Sequence, residues 1–262
     1  MNSKPIALVS GASGGIGEAI ARELAPTYQL VLVAHSADKL NALAAQLIGA
    51  ETIVLDLSTA DAVQKLTREL ETRNLDISVL VNNADYGEFW LADPKKLEEM
   101  IMLNVVTLTM LTRALLPAMV ARKAGKVMNI ASTAAFMPGP LMAVYYASKA
   151  FVLSFSEALS EELSGTGVSV TALCSGPVST GFQNAAAMQD SKLLSNPLMD
   201  SASVAHAAVK ALEYKQRVVI PGTSNQLLAL LPRFAPRALI PGIVKNAQSR
   251  RYSCPSCRRS VY

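Results

Sequence analysis

Tyr145 and Lys149 stand four residues apart, Ser132 lies thirteen residues before the tyrosine, and Asn104 lies further back. Residues at i and i+4 share one face of a helix, so a phenol and an ammonium placed there can meet the same ligand. A neighbouring cation favours the phenolate and lowers the phenol from its ordinary value of about 10. The spacing therefore predicts a proton donor or acceptor for carbonyl and alcohol chemistry, with Tyr145 as the acid–base group. Tyr146 has no lysine four residues on and is expected to pack or to form pocket wall. A Tyr-x-x-x-Lys pair occurs by chance in many helices, so its meaning rests on the elements that would position it.

Those elements begin with a nucleotide-binding pattern. The apolar run Ile6–Ser10 passes straight into Ser10-Gly11-Ala12-Ser13-Gly14-Gly15-Ile16-Gly17 and then into a helical repeat. Glycines let a backbone turn sharply and approach a pyrophosphate with no Cβ in the way. The helix start supplies free N–H groups and partial positive charge for the anion. The second strand ends at Ala34-His35-Ser36, with no acid to accept ribose hydroxyls. His35 and Ser36, helped by Lys39, can instead donate to a 2′-phosphate, which favours NADP(H) over NAD(H); the competing reading is a surface turn. Asp56, with Leu57 beside it, follows the third strand and can accept from an adenine amino group or cap the next helix. Asn82-Asn83-Ala84 ends the fourth strand, where open α/β sheets bind ligands beyond the strand carboxyl ends.

Strand-like runs fall at Ile6–Ser10, Leu30–Ala34, Thr52–Leu55, Ser78–Val81, Lys126–Ile130, Val168–Leu173 and Arg217–Ile220. Helical patterns lie between them at Gly15–Ala25, Ala37–Leu47, Thr59–Arg73, Leu97–Arg122, Val144–Leu163 and Ser201–Tyr214. This alternation predicts an α/β, doubly wound fold with about seven mainly parallel strands and helices on both faces. The runs are apolar without alternation, as strands covered on both sides should be. Residues 1–222 form the predicted domain, and 223–262 a C-terminal extension. Ser175–Asp200 reads as a long loop, of the kind that often covers a site. Phe182, Ala185–Met188 and Leu193-Leu194 line that lid or belong to ordinary core. Leu227–Val244, interrupted by Pro232, Pro236 and Pro241, reads as a broken amphipathic helix closing the core or a subunit interface, or as a membrane-surface element.

With 262 residues, 51% apolar and 17% charged, the chain can bury a full core. The net charge of +4 is modest, and five cations after Val244 form either a solvated tail or a contact for an anionic surface. No basic patch interleaved with aromatics appears elsewhere, which argues against nucleic acid. Three cysteines do not make a disulfide scaffold, and Cys254-x-x-Cys257 lacks nearby partners for a zinc site, so no metal is expected. The first residues lack a signal-peptide pattern and no run of about 18 uninterrupted apolar residues occurs, so a cytoplasmic protein without a spanning helix is expected.

Together these motifs resemble the short-chain dehydrogenase/reductase family, a Rossmann-type fold, over roughly residues 5–222. Ser10-Gly11-x-x-x-Gly15-x-Gly17 is similar to its Thr-Gly-x-x-x-Gly-x-Gly, Asn82-Asn83-Ala84 to its Asn-Asn-Ala-Gly, and Asn104, Ser132, Tyr145 and Lys149 fall on its catalytic tetrad. Ser175-Gly176-Pro177-Val178-Ser179-Thr180 looks like the segment that holds the nicotinamide carboxamide. The resemblance implies hydride transfer between a nicotinamide and a carbonyl or secondary alcohol. Tyr145 would donate the proton, Lys149 would lower its pKa and bind the nicotinamide ribose, Ser132 would orient the substrate oxygen, and Asn104 would hold a relay water. It also implies a homodimer or homotetramer. Leu30–Leu40 and Val218-Val219-Ile220-Pro221-Gly222 resemble a subgroup acting on lipophilic carbonyls, and the apolar residues of Ala134–Val144 suit an apolar carbonyl or alcohol substrate. The departures are Ser10 and Ser175 for Thr and Pro, Gly14 and His35 where NADP-preferring relatives often carry cations, and above all Asp85 for Gly. A side chain at 85 is expected near the adenosine ribose, where it would clash with the cofactor, repel it or turn outwards. Asp85 is also what supports the alternative of a non-catalytic nucleotide-binding or interaction protein.

Overall fold

The computed structural model describes residues 4–87, 93–180 and 198–248. Strands β1 (Ile6–Ser10), β2 (Gln29–Ala34), β3 (Glu51–Val54), β4 (Ile77–Asn82), β5 (Gly125–Ile130), β6 (Val168–Leu173) and β7 (Val218–Val219) form one sheet in the order β3-β2-β1-β4-β5-β6-β7. Every pairing is parallel. Strand order reverses between β1 and β4, which places the ligand crevice beyond their carboxyl ends.

Successive strand residues face opposite layers. Ala7, Val9, Leu32 and Val81 pack on one face against α1 (Gly15–Leu24), α2 (Ala37–Ala44) and α7 (Ser201–Glu213). Leu8, Val31, Val33 and Leu80 pack on the other against α3 (Ala62–Thr72), α5 (Leu108–Ala121) and α6 (Ala143–Glu162). Both faces of the central strands are covered, so β1, β2 and β4 read as nearly continuous apolar runs.

Two polar devices fix the site's geometry. The Ser10 hydroxyl donates to the Val81 carbonyl at 3.2 Å and accepts the N–H groups of Asn83 and Ala84, each at 3.0 Å. Asn83 Nδ2 returns the contact to the carbonyls of Ser10 (3.1 Å) and Gly11 (3.0 Å), so the glycine-rich turn is clasped to the end of β4. Gly17 is needed beneath this clasp, because a Cβ there would lie 2.3 Å from Asn83 Nδ2. Deeper, Asn82 Nδ2 donates to Thr112 Oγ1 and Asn129 Oδ1, and Asn129 Nδ2 donates to Ser156 Oγ at 2.9 Å. This buried chain ties β4 and β5 to α5 and α6.

Helix α4 (Pro94–Ile101) is capped by Asp93, whose carboxylate accepts the Lys95 N–H, and continues through a π turn, Met102–Thr107, into α5. The stretch Pro94–Ala121 is long and apolar enough to cross a membrane despite its polar breaks. Thr107, however, donates to the Leu57 carbonyl at 2.8 Å and Thr112 joins the Asn82 chain, as suits a helix packed on the sheet. The described part of the C-terminal extension folds as α8 (Thr223–Leu230), a 3₁₀ turn Leu231–Arg233 and α9 (Ile240–Gln248), helices broken in the region of Pro232, Pro236 and Pro241.

Candidate active site

Helix α6 buries Tyr145, Ser148, Lys149, Val152 and Ser156 at helical spacing against the sheet. Lys149 is only 1% exposed. An ammonium so deeply buried must be fully compensated. Its Nζ donates to the Ile130 carbonyl at the end of β5 (2.8 Å) and forms an ion pair with Asp85. It also lies 5.7 Å from the centre of the Tyr145 ring. Ser132, just beyond β5, accepts the Ala134 N–H at 3.1 Å and makes a long contact to the Ser175 carbonyl at 3.4 Å.

Three features differ from the expectations. First, Asp85 does not point to the adenosine side of the crevice; its carboxylate turns inwards to Lys149. Second, the Tyr145 phenol is shifted upwards, well above its ordinary value, and not downwards. Burial is the largest cause and the Asp85 charge the next, while the Ser132 hydrogen bond acts in the opposite sense. Lys149 is paired with an anion, so its field at the phenol is offset. Third, the Asn104 side chain is committed to protein groups. Its Nδ2 donates to the Tyr86 carbonyl (3.0 Å) and Ser148 Oγ (3.2 Å), and its Oδ1 accepts the Tyr86 N–H (3.2 Å). Ser148 in turn donates to the Tyr145 carbonyl at 2.7 Å. Asn104 thus clamps the backbone after Asp85 to the turn of α6 that carries the tyrosine.

A cavity of about 1210 Å³ runs from the glycine-rich turn to the C-terminal helices. At one end it is lined by Gly11, Ser13, Gly14, Gly15 and Ile16, and beside them by His35, Lys39, Asp56 and Leu57. Asn83, Ala84 and Asp85 line the middle, and Ser132, Tyr145, Val178 and Thr180 the catalytic end. Ser36, Gly17, Asn104 and Lys149 do not line it. Ser36 stands at the start of α2, Gly17 serves the close packing under Asn83, and Lys149 meets the cavity through Asp85. Asp56 accepts the N–H and hydroxyl of Ser58 at 2.9 and 2.7 Å, which hold its carboxyl below the ordinary range. That turn is local, and α3 begins later, at Ala62. The lid residues Phe182, Ala185–Met188 and Leu193-Leu194, and the pair Cys254 and Cys257, lie outside the described residues.

The C-terminal extension is the part of the site that sequence reasoning missed. Leu228, Leu231, Phe234, Ile240, Ile243 and Val244 form the cavity's outer wall. Gln248, at the end of α9, is buried and donates to the Tyr146 hydroxyl. Tyr146 lines the cavity, as expected, and its ring packs so closely on Gly139 that a Cβ there would lie 2.2 Å away. The helical spacing of Ile240, Val244 and Gln248, which α9 buries, was the available signal of a covered face.

The residues fit a dinucleotide. A Cβ at Gly11 would meet Asn83 at 2.7 Å, whereas one at Gly14 would meet nothing within 4 Å, so the turn is tight against the protein and open towards the cavity. The first turn of α1 presents its N–H groups there.

The chain matches the short chain dehydrogenase family over residues 5–191 and belongs to that family. It is 31% identical over 263 residues to the very-long-chain 3-oxoacyl-CoA reductase of Mus musculus, covering 93% of this chain and 81% of that protein. Among solved structures it resembles a short-chain dehydrogenase from Sphingobium yanoikuyae in complex with NADPH, with TM-score 0.77, 30% identity and coverage of 88% and 91% of the two chains. It also resembles a bulky-bulky ketone specific alcohol dehydrogenase from Comamonas testosteroni, with TM-score 0.75, 27% identity and coverage of 89% and 92%. The protein is therefore an NAD(P)-dependent oxidoreductase acting on C=O and CH–OH groups.

When bound, a nicotinamide dinucleotide supplies or accepts the hydride. Among this chain's own residues, Ser132 and Tyr145 are the hydroxyls placed where they could handle the oxygen and the proton. Both line the catalytic end of the cavity, where a carbonyl oxygen could accept from both hydroxyls. Tyr145 holds its proton at Oη across neutral pH, which is the form that reduction requires. Alcohol oxidation requires the phenolate, so its rate should climb with pH without levelling below about pH 10. Tyr145→Phe should retain cofactor affinity and lose about 100- to 10,000-fold in turnover. A pH–rate profile with a plateau near neutrality, or near-normal turnover of the phenylalanine variant, would contradict these roles.

Proposed function

We propose that this enzyme is an NADPH-preferring reductase of lipophilic ketones, including acyl-type substrates. The observation that carries the reading is the apolar outer wall of the cavity, built by α8, the 3₁₀ turn and α9, facing Ser132 and Tyr145. Such a wall rewards burial of hydrocarbon at roughly 25 cal/mol per Å² and offers nothing to sugars or charged acids. Likeness to the mouse very-long-chain 3-oxoacyl-CoA reductase and to the bulky-bulky ketone specific dehydrogenase of Comamonas testosteroni supports the same reading. For NADPH, the support is His35 and Lys39 on the cavity wall, with no acid in the Ala34–Ser36 segment that ends β2. Fluorescence titration should give NADPH an affinity at least tenfold above NADH, and His35→Asp should reverse the order. Equal affinities, or tighter NADH, would remove the cofactor preference.

Two surfaces extend this reading to partners. Val106 and Met110 near the π turn and Phe151 on the adjoining α6 are exposed apolar side chains, which suits self-association into a homodimer or homotetramer. Leu227, Leu230, Leu231, Phe234 and Leu239 are exposed on the C-terminal extension, Leu231 and Phe234 at the cavity wall, among Arg233 and Arg237, and no acidic residue follows Glu213. That combination suits peripheral contact with an anionic bilayer at the cytoplasmic side, from which a lipophilic substrate could enter the mouth directly. Wild-type protein should float with vesicles containing anionic lipid, and Leu230→Glu/Phe234→Glu should abolish flotation while leaving the light-scattering mass unchanged. Equal flotation of both proteins would sink the membrane contact.

A further inference from the structure

The Asp85–Lys149 ion pair has no counterpart in the family pattern, which has Gly at position 85. Lys149 is 1% exposed and fixed from one side by the Ile130 carbonyl. The Asp85 side chain, 21% exposed, occupies its other side and lines the cavity. Asn104 holds the following residue, Tyr86, through both its backbone N–H and its carbonyl, so Asp85 is placed by structure and is not a loosely tethered surface acid. The catalytic end of the cavity therefore contains a neutral ion pair where Gly at 85 would leave a lone buried cation.

We propose that Asp85 is a specificity-determining residue for the redox form of the cofactor: by neutralising Lys149 it relieves the repulsion that a lone cation exerts on an oxidised, positively charged nicotinamide. The inference rests on the nicotinamide end of the cofactor lying beside Tyr145 and Lys149. The oxidised ring carries a positive charge and the reduced ring does not. A lone Lys149 ammonium would oppose the first and leave the second alone, and a carboxylate paired with it cancels that difference. A unit charge acting over about 10 Å at an effective dielectric near 20 changes a binding constant by roughly tenfold. By linkage, tighter binding of the oxidised form makes the bound reduced cofactor a stronger hydride donor, in keeping with carbonyl reduction. Other titratable groups on this stretch of the cavity are Tyr86, Glu99, Tyr145 and Tyr146, with Cys174 behind the wall. The carboxylate that meets Lys149 is that of Asp85, so substitution at 85 changes the charge beside the ammonium directly.

The test is equilibrium binding of NADP⁺ and NADPH to wild type, Asp85→Asn and Asp85→Gly, without substrate. Asp85→Asn keeps the shape and a hydrogen-bonding group while removing the charge, and Asp85→Gly restores the family's residue. Both variants should weaken NADP⁺ about tenfold and change NADPH by less than threefold, so the ratio of the two dissociation constants moves. Parallel weakening of both forms, or no change in the ratio, would overturn the proposal and assign Asp85 a purely structural role. Binding of neither form by wild type would instead remove the placement of the cofactor itself, and the proposal with it.

Discussion

The site depends on how one positive charge is accommodated in the dry centre of the protein. Lys149 cannot be buried without partners, and the fold brings two to it from distant parts of the chain: a carbonyl at the end of β5 and a carboxylate beyond β4. Both strand ends are held by the Asn82–Asn129 contact, and α6, which carries the lysine, is held to β5 through Asn129 and Ser156. Removing one partner leaves the ammonium less fully compensated, with the Ile130 carbonyl still in place. Strand register, helix position and the acid–base state of Tyr145 are therefore coupled through this one ammonium.

Around that centre the chain divides the work. The glycine-rich turn, clasped by Ser10 and Asn83, offers backbone donors and open space for phosphates. The β5 and β6 ends supply Ser132 and the Val178–Thr180 segment, whose Val178 bridges to Met199. The last described helices then close the other side with hydrocarbon. Gln248 reaching Tyr146 links this closure to the residue next to the acid–base tyrosine, so the substrate wall and the catalytic helix are positioned together.

Much of this was legible in the sequence, for definite reasons. Strands such as Ile6–Ser10 and Val168–Leu173 were read with their true bounds because both faces are buried and the runs are uninterrupted. The glycine turn and the Tyr145/Lys149 spacing were legible because they are local. Helix α3 begins three residues later than its periodicity suggested, because Asp56, Ser58 and Thr59 bond to one another in a turn. The direction of Asp85 was not legible, since its partner lies far along the chain and the pairing exists only once α6 docks. The upward shift of Tyr145 follows from that pairing and from burial, neither of which spacing alone encodes. The cavity wall formed by α8 and α9 was hidden for a related reason: an amphipathic pattern shows that a face is covered, not what covers it.

The central claim is that this apolar cavity reduces a carbonyl by hydride transfer, with Tyr145 giving the proton. The most direct measurement is mass spectrometry of the alcohol formed from a bulky apolar ketone with NADPH deuterated at the transferring C4 position. One deuterium is expected, retained on the carbinol carbon after exchange in ordinary water. Product carrying no label at that carbon, or no product from any apolar ketone while NADPH binds, would contradict it.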